Sequence, residues 1–416
     1  MKLTHLRWYI AALLFTATVI NYVDRQSLSV LAPVLTRELR LSPVQYANIL
    51  QGFLVAYTVM YLLSGILVDR WGTRFAMAAF MAWWSVANML HAFAASAFLL
   101  CVFRVLLGIG EPGAFMAATR VASEWFPPKE RAFLNGLSNA GAALGAIIAA
   151  PLVVALYSLF GWRSAFVITG AIGLLWLVVW LHLYRLPASS QEGTPQEPQR
   201  IAWLDLLRLP QTWGLFWSRF LSDPVWWFYL FWLPKYLVEQ RGFSMAQIGL
   251  LSWLPYLSAD FGSIFGGLFS GWLVKRGWSP LRARMAGMWP FALLMPLSIL
   301  IPYTPSAVTA LAVISLVTFA HMAWKTNQNT VTNDIYPVNV VGSVSGIAAF
   351  GNGLGGAAFT WLTGQVVQHF SYNAIFFIMG FLHPAAYLVF FLLVRKPIAA
   401  PLGSGIAWDA ANVKPS

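Results

Sequence analysis

Several charged residues lie inside otherwise apolar segments of this sequence, where they could bind an ion or carry a proton. Asp24 and Arg25 follow the uncharged segment from Trp8 to Ile20, and the apolar run resumes after them as SLSVLAPVL. A charge at the centre of a bilayer costs about 2.5 to 3.5 kcal/mol on insertion scales, so such residues usually pair or line a water-filled path. The alternative is that both side chains extend to a membrane edge.

Helical geometry places Asp24 and Arg25 in different surroundings. Tyr22, Arg25 and Ser29 recur at i, i+3 and i+7 and share one helix face. Asp24 is turned by about 100° from Arg25. We therefore expect Arg25 to face a central cavity and bind a carboxylate, and Asp24 to face the helix bundle as a proton-binding group.

Arg104 and Glu111 form a second pair of charges on one helix face, with Gly108 between them. Two turns separate the charges by about 10 Å along the axis, so we expect each to have a further partner. Burial disfavours an ionised carboxyl group, which would let Asp24 and Glu111 hold protons near neutral pH. An anion bound at Arg25 would favour that proton uptake. A purely structural ion pair is the alternative for Arg104 and Glu111.

The elements that must position these charges are membrane spans. Hydrophobic residues make up 59% of the chain, charged residues 10%, and the mean hydropathy is +0.67. Scanning for apolar segments of about 20 residues predicts an all-α membrane protein with twelve spans. The spans cover residues 8–30, 45–68, 75–95, 98–121, 134–158, 164–184, 212–236, 246–273, 283–302, 306–327, 342–367 and 373–394.

Basic residues indicate the topology. With the N-terminus inside, 16 Lys and Arg residues fall in cytoplasmic segments and 5 in periplasmic ones, so both termini are expected in the cytoplasm. The polar segment PASSQEGTPQEPQR reads as a linker between two six-helix halves. The predicted domains are residues 1–186 and 209–396, with a linker at 187–208 and a cytoplasmic tail at 397–416.

An internal duplication relates the two halves. GILVDRWGTR at 65–74 resembles GWLVKRGWSP at 271–280, an offset of 206. GLSNAGAALGA and GIAAFGNGLGG are 210 residues apart, as are Pro127 and Pro337. Such a duplication is typical of transporters that rock two halves about a central site.

The motif GILVDRWGTR resembles the loop signature of the major facilitator superfamily, and the resemblance implies a gating role for Asp69, Arg70 and Arg74. A solvated charged turn is the alternative. INYVDR, FRVLLGIGEPGAF, FLSDPVWWFYLFWLPKYL, LSWLPYLSADFGSIFGG and AHMAWKTNQNTVTNDIYP are similar to the anion:cation symporter branch, most of all to bacterial hexuronate transporters, which are related to galactonate transporters. The resemblance implies proton symport of organic anions, with Glu111 in proton coupling.

The resemblance and the expected cavity faces supply binding partners for a sugar acid. Tyr22 and Tyr57 match tyrosines of the family's site, and Asn139 and Asn352 occupy corresponding places in the duplicated halves. Aromatic faces suit a pyranose, although tryptophan is also common at membrane interfaces. The predicted substrate-binding residues are Tyr22, Arg25, Tyr57, Arg104, Asn139, Trp227, His321, Trp324, Lys325 and Asn352.

Lys325 departs from the resemblance, since a small polar residue is usual after the corresponding tryptophan. Lys325 lies one turn beyond His321 and would favour a more highly charged or differently shaped anion. Alternatively, it pairs with Asp334 or another acid near the cytoplasmic end. Arg219 and Asp223, four residues apart, are expected to form a local structural pair.

Other classes of function find little support. The sequence contains no catalytic motif, no metal-ligand spacing and a single cysteine, Cys101. Its basic residues are dispersed and do not form the clusters that are typical of nucleic-acid binding. The resemblance implies a monomeric, multi-pass inner-membrane transporter in the lipid bilayer that imports a hexuronate, with protons as coupling ion and no cofactor. Carriage of an aldonate or of an aromatic or dicarboxylic acid, anion exchange, uniport, and a transporter-like sensor remain alternatives.

Overall fold

The computed structural model describes residues 3–126, 128–184, 203–336 and 338–394, and within these ranges the protein is helical, with no strand. Two stretches of 3-10 helix, His91–Phe93 and Met295–Tyr303, continue the preceding α-helices. The α-helices are α1 Leu3–Glu38, α2 Pro43–Trp71, α3 Thr73–Leu90, α4 Ala97–Gly110, α5 Pro112–Trp125, α6 Pro128–Leu183, α7 Trp203–Leu207, α8 Pro210–Ser222, α9 Pro224–Arg241, α10 Met245–Leu251, α11 Leu254–Lys275, α12 Pro280–Leu294, α13 Ala307–Ile335, α14 Val338–His369 and α15 Tyr372–Val394.

Several helices combine or divide the predicted spans. The long helix α6 contains two spans that meet at Gly161, whose φ of 82° lies in the left-handed region that glycine adopts without strain. Span four is divided at Glu111 and span seven at Asp223, and in each case a proline begins the second helix. Proline has no backbone N–H, so it interrupts the hydrogen bonding of the first helix but is tolerated at the first position of the next. By length and composition, eight helices of the described ranges could cross a membrane, or nine if the bent pair Pro43–Tyr61 and Leu63–Trp71 is one span.

The chain forms two compact units. The first comprises Met1–Thr194, Phe228–Leu257 and Ala357–Phe370, and the second Pro195–Trp227, Ser258–Gly356 and Ser371–Ser416. Of the predicted linker, the structure describes only the part from residue 203, which includes α7. The predicted tail at 397–416 lies outside the described residues.

The first unit is built on close helix packing. Glycines in α6 allow it to approach α1, since a Cβ atom at Gly141 would lie 2.5 Å from the Phe15 carbonyl oxygen and one at Gly145 would lie 2.7 Å from that of Val19. Small residues four apart are the usual device for bringing helix backbones together in membranes. In the same unit, the Tyr46 hydroxyl donates to the Phe231 carbonyl of α9 at 2.7 Å.

The second unit repeats this packing. A Cβ atom at Gly351 of α14 would lie 2.6 Å from the Phe216 carbonyl oxygen of α8, and one at Gly355 would overlap with the Phe220 carbonyl oxygen. The glycines are 210 residues after those of α6, which is the offset that the sequence repeats show. The duplication therefore preserves a physical contact as well as a sequence pattern.

Candidate functional site

Arg25 and Glu111 form a buried ion pair in the first unit. The Arg25 Nε and Nη2 atoms both donate to Glu111 Oε2, at 2.8 and 2.6 Å, and Nη2 also donates to Asn21 Oδ1 at 3.2 Å. The two side chains are 2% and 0% exposed. Glu111 is positioned by the break between α4 and α5, because Pro112 cannot continue the hydrogen bonding of α4. Arg25 is thus the interhelical partner expected for Glu111.

Aromatic rings surround the Arg25 guanidinium. Its central carbon lies 4.7 Å from the ring centroid of Tyr22, 4.8 Å from that of Tyr57 and 5.6 Å from that of Phe53. A cation near the faces of such rings is stabilised by their quadrupoles, more strongly when water is excluded. The rings therefore hold a cation in place without competing for its hydrogen-bond donors.

Arg104 is the second buried cation of this cluster. Its Nη2 donates to the Arg25 backbone carbonyl at 3.1 Å, and its side chain is fully buried. Among the described residues, the Arg104 Nε and Nη1 atoms and Glu111 Oε1 have no hydrogen-bond partner. A buried charge without adequate partners is strongly destabilising. Arg104 is therefore suited to bind a carboxylate.

Asp24 lies in the same unit but has different partners. Its Oδ1 accepts a hydrogen bond from Asn88 Nδ2 at 2.8 Å, and Asn88 also donates to Thr169 Oγ1 at 2.8 Å. Asp24 is fully buried and Arg25 nearly so, which excludes an exposed edge for this pair of residues. The different partners agree with the rotation of about 100° between neighbouring helical residues.

Asp69, one of the three residues predicted to act in gating, belongs to a polar network at the end of α2. Asp69 Oδ1 accepts from Arg120 Nη1 at 2.6 Å, and Arg120 Nε donates to Glu124 Oε1 at 3.0 Å. Arg74 Nη2 donates to the Leu181 carbonyl at 2.6 Å, near the C-terminus of α6, where carbonyls lack helical partners. Arg70 is exposed at the end of α2.

The second unit holds the remaining predicted site residues whose side chains are described. Trp227 Nε1 donates to Asn352 Oδ1 at 2.7 Å, and Gly356 packs directly on the Trp227 indole. Glycine at position 356 is needed there, because a Cβ atom would lie 2.5 Å from the ring. Asn139 lies in α6, but its side chain is outside those that the structure describes.

Lys325 pairs with Asp223, the acid at the break between α8 and α9. The Lys325 Nζ and Asp223 Oδ2 atoms are 3.5 Å apart, and Asp223 is fully buried. Asp334, the alternative partner considered for Lys325, instead accepts from Arg284 Nε at 3.0 Å. Arg219, expected beside Asp223, donates to Asn329 Oδ1 at 2.6 Å.

His321 and Trp324 adjoin the histidine of α15. His321 Nδ1 and His383 Nε2 are 3.0 Å apart, and the Trp324 and His383 ring centroids are 5.4 Å apart. His321 also stacks on Trp226, with the rings tilted by only 6°. Sequence reasoning missed His383 and Asn88, for which the single signal was a polar residue in an apolar span. In the described ranges, no group of three or more His, Cys, Asp or Glu residues could hold a metal ion.

Comparisons with known proteins identify the family of this chain. The family model described as Major Facilitator Superfamily matches residues 14–360. The hexuronate transporter of Escherichia coli strain K12 is 30% identical over 417 residues, covering 95% of this chain and 96% of that protein. The galacturonate transporter of Dickeya chrysanthemi is 34% identical over 283 residues, covering 64% of this chain and 82% of that protein.

Among solved structures, the D-xylose-proton symporter superposes with a TM-score of 0.78 at 16% identity, covering 94% of this chain and 99% of that one. At this identity the match shows the fold alone, which has twelve transmembrane helices. A helical membrane fold, buried charges and a family match over most of the chain lead to one conclusion. The protein belongs to the major facilitator superfamily and is a membrane transporter, not an enzyme.

Proposed function

We propose that the protein imports a sugar-acid anion, a hexuronate such as glucuronate or galacturonate, across the bacterial inner membrane by proton symport. Relatives named as hexuronate and galacturonate transporters support this substrate class. The excess of basic residues in the predicted cytoplasmic segments supports a topology with both termini in the cytoplasm.

The observation that carries the proposal is the Arg25–Glu111 ion pair. The Arg25 guanidinium, the proposed partner of the substrate carboxylate, is already bound by a carboxylate of the protein, at 2.6 Å. Protonation neutralises Glu111 and weakens its hold on Arg25, which then binds the carboxylate of the sugar acid. Proton and anion thus favour each other's binding, and this reciprocity is required of any such linkage.

The same exchange of partners explains release. On the side where protons are scarce, Glu111 ionises, returns to Arg25 and displaces the anion. The unloaded protein then keeps both buried charges paired, which avoids the large cost of an isolated buried ion. Arg104, with two unpaired donor nitrogens among the described residues, holds the anion while Arg25 changes partners.

Uptake into proteoliposomes tests the proposal. The purified protein is given labelled glucuronate, galacturonate or galactonate, with and without an inward proton gradient. We expect accumulation above the external concentration only with the gradient, and its loss when a protonophore is added. Uptake that ignores the gradient but is stimulated by unlabelled anion inside the vesicles would show an exchanger instead.

A further inference from the structure

A second group of ionisable side chains lies in the second unit and has no role in the exchange between Arg25 and Glu111. Its centre is the contact between His321 Nδ1 and His383 Nε2, at 3.0 Å. Both rings are fully buried. Their outer nitrogens, His321 Nε2 and His383 Nδ1, have no hydrogen-bond partner among the described residues.

When two neutral imidazoles share one hydrogen bond, one basic nitrogen on the outer side of the pair takes no part in it. Each neutral ring carries one N–H and one lone pair, and the shared hydrogen bond uses the N–H of one ring and the lone pair of the other. The donor ring therefore presents a bare nitrogen on its outer side, and the acceptor ring presents an N–H. A proton that binds the bare nitrogen can leave as the outer N–H proton of the other ring, once the shared proton has crossed between them.

Several helices packed around the pair carry charged or titratable side chains, including Arg284 of α12, which donates to Asp334 of α13. Lys325 lies one turn from His321 on α13, and its Nζ is 3.5 Å from Asp223 Oδ2. Neither Asp223 oxygen has a hydrogen-bond partner in the described ranges.

On α15, Tyr387 packs with Trp324, the neighbour of His383. From α8, Arg219 donates to Asn329, and α11 carries Asp260, which is half-buried. The segment Met295–Tyr303, which packs against α13 and α15, carries no charged side chain.

We propose that His321 and His383 together form a second proton-binding site, which takes up one proton when the transported anion binds. The added proton places a positive charge near Lys325, and the Asp223 carboxylate, 3.5 Å from Lys325 Nζ, offsets that charge, while the negative charge of the bound anion favours the uptake of a proton. This inference rests on the proposed symport. It adds a second proton to it, and with a monoanion it makes transport electrogenic.

Proton uptake on anion binding tests the inference. Full-length protein in detergent, in weakly buffered solution with a pH indicator, is titrated with glucuronate. Relative to the wild type, we expect His383→Asn and Glu111→Gln each to take up about one proton fewer per anion bound. The matched control is His91→Asn, because His91 is equally buried but its Nδ1 lies 2.9 Å from the Ala87 carbonyl oxygen of its own helix.

The outcomes separate the two proposals. If wild-type protein binds the anion without taking up protons, proton symport itself is wrong. If Glu111→Gln lowers the uptake but His383→Asn does not, the histidine site alone is wrong. Nitrogen NMR of histidine-labelled wild-type protein provides a readout that does not depend on the variants folding. We expect an imidazolium signal to arise when glucuronate is added, and its absence would also overturn the inference.

Discussion

A buried guanidinium is strongly destabilising unless its charge and its donors have partners, and Arg25 and Arg104 of the first unit differ in the partners they have. Arg25 has Glu111, whereas Arg104 has a backbone carbonyl at 3.1 Å and two donor nitrogens without partners among the described residues. The proposed mechanism gives them separate tasks. In it, Arg25 exchanges one carboxylate for another, and Arg104 stays available to the ligand throughout.

Replacing Glu111 by glutamine should separate binding from proton coupling. The amide cannot ionise, so it cannot reclaim Arg25 when protons are scarce. The pH-dependence of affinity is expected to lose the factor of about ten per pH unit that one coupled proton contributes. Proton-driven accumulation should fall sharply, because only the proton of the histidine pair is left to drive it, while exchange of anion across the membrane is retained, as measured in proteoliposomes. Glu38→Gln is the control, because Glu38 accepts from Trp162 and an amide can replace it there. Intact accumulation in Glu111→Gln would refute the coupling role.

Removing the Arg25 guanidinium should weaken anion binding strongly. Loss of one partner of a buried hydrogen-bonded charge pair typically costs about 2 to 5 kcal/mol. Arg25→Lys should recover part of this loss, because lysine keeps the charge but lacks the planar fork. Arg37→Ala, at the exposed end of the same helix, should bind normally. The measurement is calorimetric titration with glucuronate.

A loss of affinity in Arg25→Ala must be distinguished from a loss of folding stability. Arg25→Ala leaves Glu111 without its cation, so the double variant Arg25→Ala/Glu111→Gln is included to remove the stranded charge. We expect the double variant to regain thermal stability but not affinity. Normal affinity in either variant would remove Arg25 from the binding site.

The sequence predicted Asp24, Arg25 and Glu111 as site residues, but it did not identify which residues they contact. The rotation between Asp24 and Arg25 follows from helical geometry alone, because both residues lie on one helix. The pairing of Arg25 with Glu111 joins two helices and depends on their relative register, which no local pattern contains. His383 had no charged neighbour or motif to mark it.

At the scale of elements, two acid–proline steps divide the helices that carry the buried charges. Glu111 precedes Pro112 and Asp223 precedes Pro224, and each acid is paired with a base of a neighbouring helix in its own unit. Proline at the first position of a helix is favourable, because the missing donor would have no partner there. These breaks are readable in the sequence, as are the repeats that place glycines on α6 and α14.

The glycine contacts predict a position-dependent response within α14. Alanine is normally better than glycine in a helix by about 0.5 to 1 kcal/mol. At Gly355, however, a Cβ atom would overlap with the Phe220 carbonyl oxygen, whereas at Gly346 it would meet nothing within 4 Å. Gly355→Ala should therefore lower thermal stability in detergent, by an overpacking cost of about 1 to 3 kcal/mol. Gly346→Ala, on the same helix, should be neutral or stabilising. Equal melting temperatures for the two variants would show that α8 and α14 are not closely packed in the protein.

At the scale of the whole molecule, transport requires that the protein change conformation, and we propose that the network of Asp69, Arg120 and Glu124 influences that change. It ties the end of α2 to α5, and through Glu124 to Thr73 at the start of α3 and to Tyr184 after α6. Twelve spans, the duplication and this motif were all predictable, because each leaves a local or periodic trace. The side-chain contacts of the Asp69 network were not, because they depend on how helices distant in sequence pack together.

Neutralising Asp69 should slow transport without weakening binding. Asp69 is 79% exposed, and such surface ion pairs contribute only about 0 to 1 kcal/mol to stability. That amount matters little for folding but is enough to shift an equilibrium between conformations that are close in free energy. We therefore expect Asp69→Asn to lower the maximal uptake rate several-fold in proteoliposomes, with an unchanged glucuronate affinity in detergent.

Two further variants test whether loss of the Asp69–Arg120 contact causes the lower uptake rate expected for Asp69→Asn. Asp69→Asn/Arg120→Gln should be no slower than Asp69→Asn alone, because residues in one network do not act additively. Asp205→Asn is the control, since it removes the surface pair with Arg208 at 3.5 Å, which lies outside this network. A rate loss that is the same for Asp205→Asn, or that doubles in the combined variant, would show that Asp69 acts through general charge and not through its contact with Arg120.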